Sequence, residues 1–322
     1  MSVKDDISTF RDVMISYKRP KSVIILAYHR ICDLTGLFYD RNISATPEEF
    51  RSQMEYLKAN YNVITGDQLV DYFDLKTAIP EKAIMVTFDD GFKDTVSNAL
   101  PILVEFKLLA MAFLVTDYIN SKYVPWEDEL ALVINRSDLS ILSKNISGLV
   151  VGHSKEDATL HACIKLRGLG MVERETQLRE FYSSSGLDRN AVIAEILASG
   201  KGMMDENDIK AWISAGMEVG SHTCSHSQSS KIDSATVEKE LRVSKSKLEE
   251  ITKKEVSIFA YPYGMKGYYD RDTIRLVQEA GYKCAVSLMA GINTLKTNRF
   301  DLKRMGIAPY VSFEKACDGC LR

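Results

Sequence analysis

The chain has 322 residues, 45% of them apolar and 26% charged, with a formal net charge of −3. That length buries a sizeable core and fits one large α/β domain or two small ones. No basic surplus or Lys/Arg run supports a nucleic-acid partner, and no stretch approaches the roughly 18 apolar residues of a membrane span. The first twenty residues alternate charge with apolar side chains and hold no uninterrupted apolar run of the kind an export signal carries. The six cysteines (32, 163, 224, 284, 317 and 320) are scattered, as free thiols in a reducing compartment are. The expectation from these features is a cytoplasmic protein without a transmembrane segment.

Short apolar runs recur along the chain and predict strands at Val23–Tyr28, Asn62–Ile64, Ala83–Phe88, Ala110–Val115, Met217–Gly220, Ser257–Ala260, Cys284–Ser287 and Leu302–Met305. Helical patterns lie between them. Thr46-Pro47-Glu48-Glu49 is a capping box with proline at the first helical position, followed by Phe50, Met54 and Leu57 on one face. Thr65 to Gln68 repeats the capping pattern, Asp205 caps a later helix, and Asp233 or Ser234 caps another. Strands alternating with helices imply a parallel sheet with helices outside, and about eight of them suit a distorted (β/α) barrel whose chemistry gathers at the strands' C-terminal ends. An open doubly wound sheet is the alternative, but no Gly-rich phosphate turn follows the first strand. Residues from about 120 to 203 break the rhythm with polar helical pieces such as Glu173–Tyr182 and Arg189–Ala198. They read as a mostly helical insertion over the barrel mouth within a single domain, a separate small helical domain being the other possibility.

Four motifs fall at predicted strand ends. Val86-Thr87-Phe88-Asp89-Asp90-Gly91 runs an apolar strand into two carboxylates and a glycine. Neighbouring strand residues face opposite ways, so two Asp inside the strand would force one into the core; at its end both reach the mouth. A plain turn has the same composition. Ser221-His222-Thr223-Cys224-Ser225-His226 places two of only five histidines four apart, a spacing that brings both imidazoles to one side of a helical turn for a shared metal. Two His and one carboxylate leave coordination open for water, as a hydrolytic metal site needs. In Phe259-Ala260-Tyr261-Pro262-Tyr263-Gly264 the proline fixes the backbone, so the Tyr263 N–H is a candidate oxyanion donor. Tyr28-His29-Arg30 closes the first strand with a candidate for proton transfer.

Together these motifs resemble the NodB-homology polysaccharide deacetylases, carbohydrate esterase family 4, over roughly residues 23–118 and 204–310. Thr87-Phe88-Asp89-Asp90-Gly91 matches the first family motif, Ser221-His222-Thr223-x-x-His226 the second, and Tyr261-Pro262-Tyr263-Gly264 is a variant of the third. Asp94, Ala99-Leu100-Pro101 and Phe113-Leu114-Val115 resemble the segment that follows the Asp pair. The resemblance implies a carbohydrate N-deacetylase on a distorted barrel, with Asp90, His222 and His226 holding a divalent metal, usually Zn2+. It implies Asp89 as the base toward a metal-bound water and Tyr263 N–H plus metal as oxyanion stabilisers.

Two departures stand out. The third motif's arginine is replaced by Ala260, for which Arg304 in Leu302-Lys303-Arg304-Met305 is a candidate substitute. No histidine follows His226 to serve as the late acid. Tyr28-His29-Arg30-Ile31 instead resembles the circularly rearranged subgroup that includes poly-N-acetylglucosamine deacetylases, which implies His29 as the acid; a carboxylate such as Asp33 would raise its pKa. Cys317-x-x-Cys320 is only half a zinc site, and Cys224 reads as a small buried residue. His153 and His161 lack partner motifs, while Tyr123, Trp126 and Tyr268 read as packing or as sugar-stacking rings. The competing readings are a deformylase or other deacylase, or a carbohydrate-binding homologue without turnover. Retention of Asp89 beside the metal set argues against the last, because binding needs no base.

Overall fold

A computed structural model describes residues 21–32, 43–146, 148, 152, 154–169, 171–307 and 312–319. Among them the main sheet is parallel throughout and contains β1 (Val23–Tyr28), β4 (Asn62–Val63), β5 (Ala83–Phe88), β6 (Ala110–Leu114), β7 (Glu218–Ser221), β8 (Ile258–Ala260), β9 (Cys284–Val286) and β10 (Met305–Gly306). The order is β10-β1-β5-β6-β7-β8-β9, with β4 beside the first half of β5 and β6 beside its second half. The ring closes through residues 302–306. Leu302 bridges Val286 of β9, and three residues later Met305 pairs with Leu26 of β1. A short parallel pair, β2 (Arg30–Ile31) and β3 (Ser44–Ala45), stands at the C-terminal end of β1. The predicted barrel is the observed one.

Side-chain parity divides the apolar residues into two layers, as the period of two demands. Val23, Ile25, Ala83, Met85, Met111, Phe113, Ile258, Ala260, Cys284, Val286 and Leu302 fill the barrel interior. Their strand neighbours Ile24, Leu26, Ile84, Val86, Phe88, Ala112, Leu114, Phe259 and Ala285 face the outer helices. Both faces are buried, so β1 and β5 read as continuous apolar runs rather than alternating ones. Gly220 makes this interior possible, because a Cβ there would sit 2.4 Å from the Phe113 ring.

The outer helices start where their caps are. Helix α1 (Pro47–Asn60) opens on the full Thr46/Glu49 capping box and buries Phe50, Met54 and Leu57. Helix α2 (Gly66–Phe73) opens on Thr65 and Gln68 in the same way, and α3 (Leu100–Phe106) follows β5. Between β6 and β7 come α4 (Trp126–Arg136), α5 (Leu139–Asn145), α6 (Lys155–Arg167), α7 (Met171–Ser185) and α8 (Arg189–Ala198). These five pack around an apolar cluster of their own, including Leu130, Val133, Leu166, Phe181 and Ile196. Helices α9 (Glu206–Ser214), capped by Asp205, α10 (Ser234–Thr252), capped by Asp233, and α11 (Arg271–Glu279) complete the outer layer. No helix among the described residues is long and apolar enough to cross a membrane.

Candidate metal centre and its surroundings

The parity that fills the barrel also aims its polar residues. On β1 the inward set Val23, Ile25 continues to His29; on β5 Ala83 and Met85 continue through Thr87 to Asp89. Beyond β7, His222 follows Gly220 by two, and Arg304 follows the inward Leu302 by two. Four residues from four parts of the chain therefore meet above the apolar interior. Asp90 has the wrong parity for that face, and a left-handed backbone (φ 69°) followed by Gly91 at φ 84° turns it back toward the site.

Asp90, His222 and His226 offer one ligand atom each, all within 4.8 Å of one another. Asp90 Oδ1 lies 3.4 Å from His222 Nε2 and 3.2 Å from His226 Nε2, yet it is buried with no hydrogen-bond partner among the described residues. Such an orphaned carboxylate oxygen facing two imidazoles fits a cation between them. The tautomer fits as well. His222 Nδ1 is 2.8 Å from the Ala260 carbonyl, so it donates there and leaves Nε2 as a lone-pair ligand. Burial opposes the charge of Asp90, but the His226 and His222 imidazoles hold its carboxyl well below the usual range. Burial likewise opposes charging His222, yet Asp90 and Asp89 raise it above its ordinary value. The cluster concentrates negative field at the point where a divalent ion would sit.

The His-x-x-x-His segment is not the helical turn that its spacing suggested. It is a loop in which Thr223 (φ 69°) and His226 (φ 58°) are both left-handed. Thr223 Oγ1 accepts from the His226 N–H at 3.0 Å, and Glu240 of α10 accepts from the N–H groups of Cys224 and Ser225 at 2.8 and 3.0 Å. Cys224 directs its thiol to the Glu240 carbonyl, away from the three ligands. Glu240 carries no sequence signal, since a carboxylate sixteen residues downstream on an amphipathic helix looks like any solvated side chain.

Arg304, the candidate substitute for the arginine missing at Ala260, reaches Asp89. It is fully buried and grips Asp89 with two bonds of 2.6 Å, while Nε donates to the Ser287 carbonyl at 2.8 Å. Burial pushes the Asp89 carboxyl up, and Arg304, His222 and His29 outweigh it, holding the group below its ordinary value. His29 Nε2 stands 3.9 Å from Asp89 Oδ2. The expectation of a raised His29 pKa is corrected: burial lowers it, and Asp90 and Asp89 raise it by less than burial takes away. Asp33, the carboxylate first considered for that task, lies outside the described residues, as do His153 and Cys320. His161 bonds within its own helix, far along the chain from any partner motif.

Tyr263 also has a left-handed backbone (φ 62°), and its N–H has no acceptor among the described residues. Its ring packs 4.8 Å from His226 and 5.1 Å from Tyr268. A cavity of about 940 Å³ runs from Asp90, His226 and Tyr263 to Trp126, Arg174 and other residues of α4 and α7. The helical segment is tied to the barrel beside it. Arg30, next to His29, bonds Asp94 at 3.0 Å and Asp128 of α4 at 2.5 Å, all three buried.

Comparison with known proteins agrees with this geometry. A polysaccharide deacetylase family model matches residues 76–148 and 173–285, more than half of the chain. A poly-beta-1,6-N-acetyl-D-glucosamine N-deacetylase of Staphylococcus aureus is 22% identical over 304 residues, covering 91% of this chain and 81% of that protein. Its Staphylococcus epidermidis counterpart is 25% identical over 222 residues, 62% of this chain and 71% of that protein. The Streptococcus pyogenes deacetylase PplD superposes with a TM-score of 0.62 at 17% identity, over 94% of this chain and 99% of PplD. IcaB from Ammonifex degensii does so with the same score and identity, over 94% and 98% of the two chains. The chain belongs to the polysaccharide deacetylase family.

Proposed function

We propose that this enzyme removes N-acetyl groups from N-acetylglucosamine units of a carbohydrate and depends on a divalent metal, most simply Zn2+, held by Asp90, His222 and His226. The Asp90 oxygen facing the Nε2 atoms of two imidazoles carries the metal reading. The substrate class rests on the N-acetylglucosamine polymers named for the staphylococcal relatives. When bound, the ion would supply Lewis acidity toward the amide carbonyl and toward a water molecule.

The protein's own groups do the rest. Asp89, kept ionised and oriented by Arg304, accepts the proton of the attacking water. The Tyr263 N–H, without an acceptor among the described residues, donates to the oxygen of the tetrahedral intermediate. His29, 3.9 Å from Asp89, delivers a proton to the departing amine. Its lowered pKa makes the imidazolium a stronger acid, at the cost of the fraction charged at neutral pH. The guanidinium that orients the base comes from residue 304 rather than 260.

The test combines metal analysis with acetate release from an oligomer of N-acetylglucosamine. Wild-type protein is expected to hold about one divalent ion per chain, Asp90→Ala to hold none, and Asp89→Asn to keep the ion while losing turnover. His29→Ala is expected to lower kcat by at least ~100-fold, the usual scale of general-acid loss. Full activity in Asp90→Ala would remove the metal reading, and unchanged turnover in His29→Ala would remove its acid role.

A further inference from the structure

The cavity wall opposite the metal ligands comes from the helical segment, where Arg174 feels the field of the Glu127 carboxylate without forming an ion pair among the described residues. Arg174 of α7 is half-buried and lies over the Trp126 ring at 5.1 Å, with its guanidinium beside the Tyr263 hydroxyl. Among the described residues no carboxylate comes within ion-pair distance of it. Its neighbours differ in this respect. Arg189 is shared between Glu129 and Glu175, Arg30 between Asp94 and Asp128, and Arg167 reaches Glu127 at 3.7 Å. Lys122 and Lys231 also line the cavity, without an ion pair to a carboxylate among the described residues. Arg174 is therefore pre-positioned by an aromatic face and by a hydrogen bond to the Tyr263 phenol, with the rest of its fork not engaged by a carboxylate among the described residues, and Tyr263 in turn packs on His226. A guanidinium so held pairs bidentately with a carboxylate or phosphoryl group.

We propose that the helical segment builds a subsite beside the reacting centre for an anionic substituent of the substrate, a phosphoryl or carboxylate group on the acetylated sugar or its neighbour, with Arg174 as its recognition residue. The aromatic rings of Trp126 and Tyr263 flank the guanidinium and give the adjoining sugar ring a surface to stack on. The proposal rests on the deacetylase reading only for turnover; the binding that tests it does not.

The experiment measures equilibrium binding to the full chain of N-acetylglucosamine, N-acetylglucosamine 1-phosphate and N-acetylmuramic acid, the last two supplying the phosphoryl and carboxylate arms. Wild type is expected to bind at least one of the anionic sugars ~10-fold or more tighter than the neutral one, an advantage that shrinks as salt is added. Arg174→Ala should erase the advantage and leave neutral-sugar affinity unchanged, and Arg174→Lys should retain part of it. An advantage that survives Arg174→Ala but vanishes in Asp90→Ala would put the anion on the metal ligands and overturn the proposal. So would equal binding of all three sugars, or an equal loss for all three in Arg174→Ala, which would mark a neutral stacking subsite. If the anionic advantage holds while no N-acetylated sugar releases acetate, the deacetylase reading fails and the subsite stands.

Discussion

Replacing Arg304 with Met tests how the base is held. Met keeps a long apolar stem against the Phe113 ring, over which the guanidinium now sits at 5.5 Å, and removes both 2.6 Å bonds to Asp89. With both partners essentially unexposed, the substitution leaves a buried carboxylate without its counter-ion, a change that costs about 3–5 kcal/mol. At roughly 2 °C per kcal/mol for a chain of this size, Tm should fall by on the order of 5–10 °C. Asp89→Asn should also destabilise, because Arg304 then loses its counter-charge. The double variant should recover part of the sum, with a coupling energy of at least ~1 kcal/mol in urea denaturation. Acetate release should drop by at least ~100-fold in Arg304→Met, since a base neither oriented nor kept ionised accepts no proton from water. A stability loss below ~1 kcal/mol, or a coupling energy near zero, would refute the account of Arg304 as the group that holds Asp89.

Burial pushes the Glu127 carboxyl up to about 7 from an ordinary 4.5, so the folded chain holds that proton more tightly than the unfolded one. Its stability contribution is therefore lost as pH rises from about 4.5 through 7, with a ceiling of about 3 kcal/mol because a quarter of the side chain stays exposed. Glu127→Gln should gain Tm over wild type at pH 8 and not at pH 4.5; an equal difference at both would contradict it. Gly220→Ala drives a methyl to 2.4 Å from the Phe113 ring and 3.0 Å from the Ile258 carbonyl, so it should cost about 1–3 kcal/mol in chemical denaturation. Gly220→Ala combined with Phe113→Leu should recover part of that loss, and no recovery would place the strain elsewhere. Arg30→Met breaks the tie between Asp94 and Asp128 and should make α4 and α7 exchange their amide hydrogens faster than the barrel strands do. Unchanged exchange there would show that apolar packing alone holds the segment.

The barrel was legible because its code is local. Apolar runs, two capping boxes and strand-end motifs placed β1 and β5 to the residue and the other predicted strands to within one to three residues. Parity within each strand was written in the sequence too, and it aims His29, Asp89 and His222 at one point once the strands stand side by side. What no local pattern contained was distance across the ring. Arg304 answers Ala260 only because residues 302–306 close the barrel between β9 and β1, bringing it onto Asp89 from 215 positions away. The left-handed residues Asp90, Thr223, His226 and Tyr263 bend the site out of strand and helix geometry, which is why four-residue spacing suggested a helix where a braced loop stands. Arg174 beside Tyr263 is legible only after α7 packs across the cavity. Side-chain chemistry and strand phase reside in the sequence, whereas which charges meet depends on loop closure and packing between segments far apart along the chain.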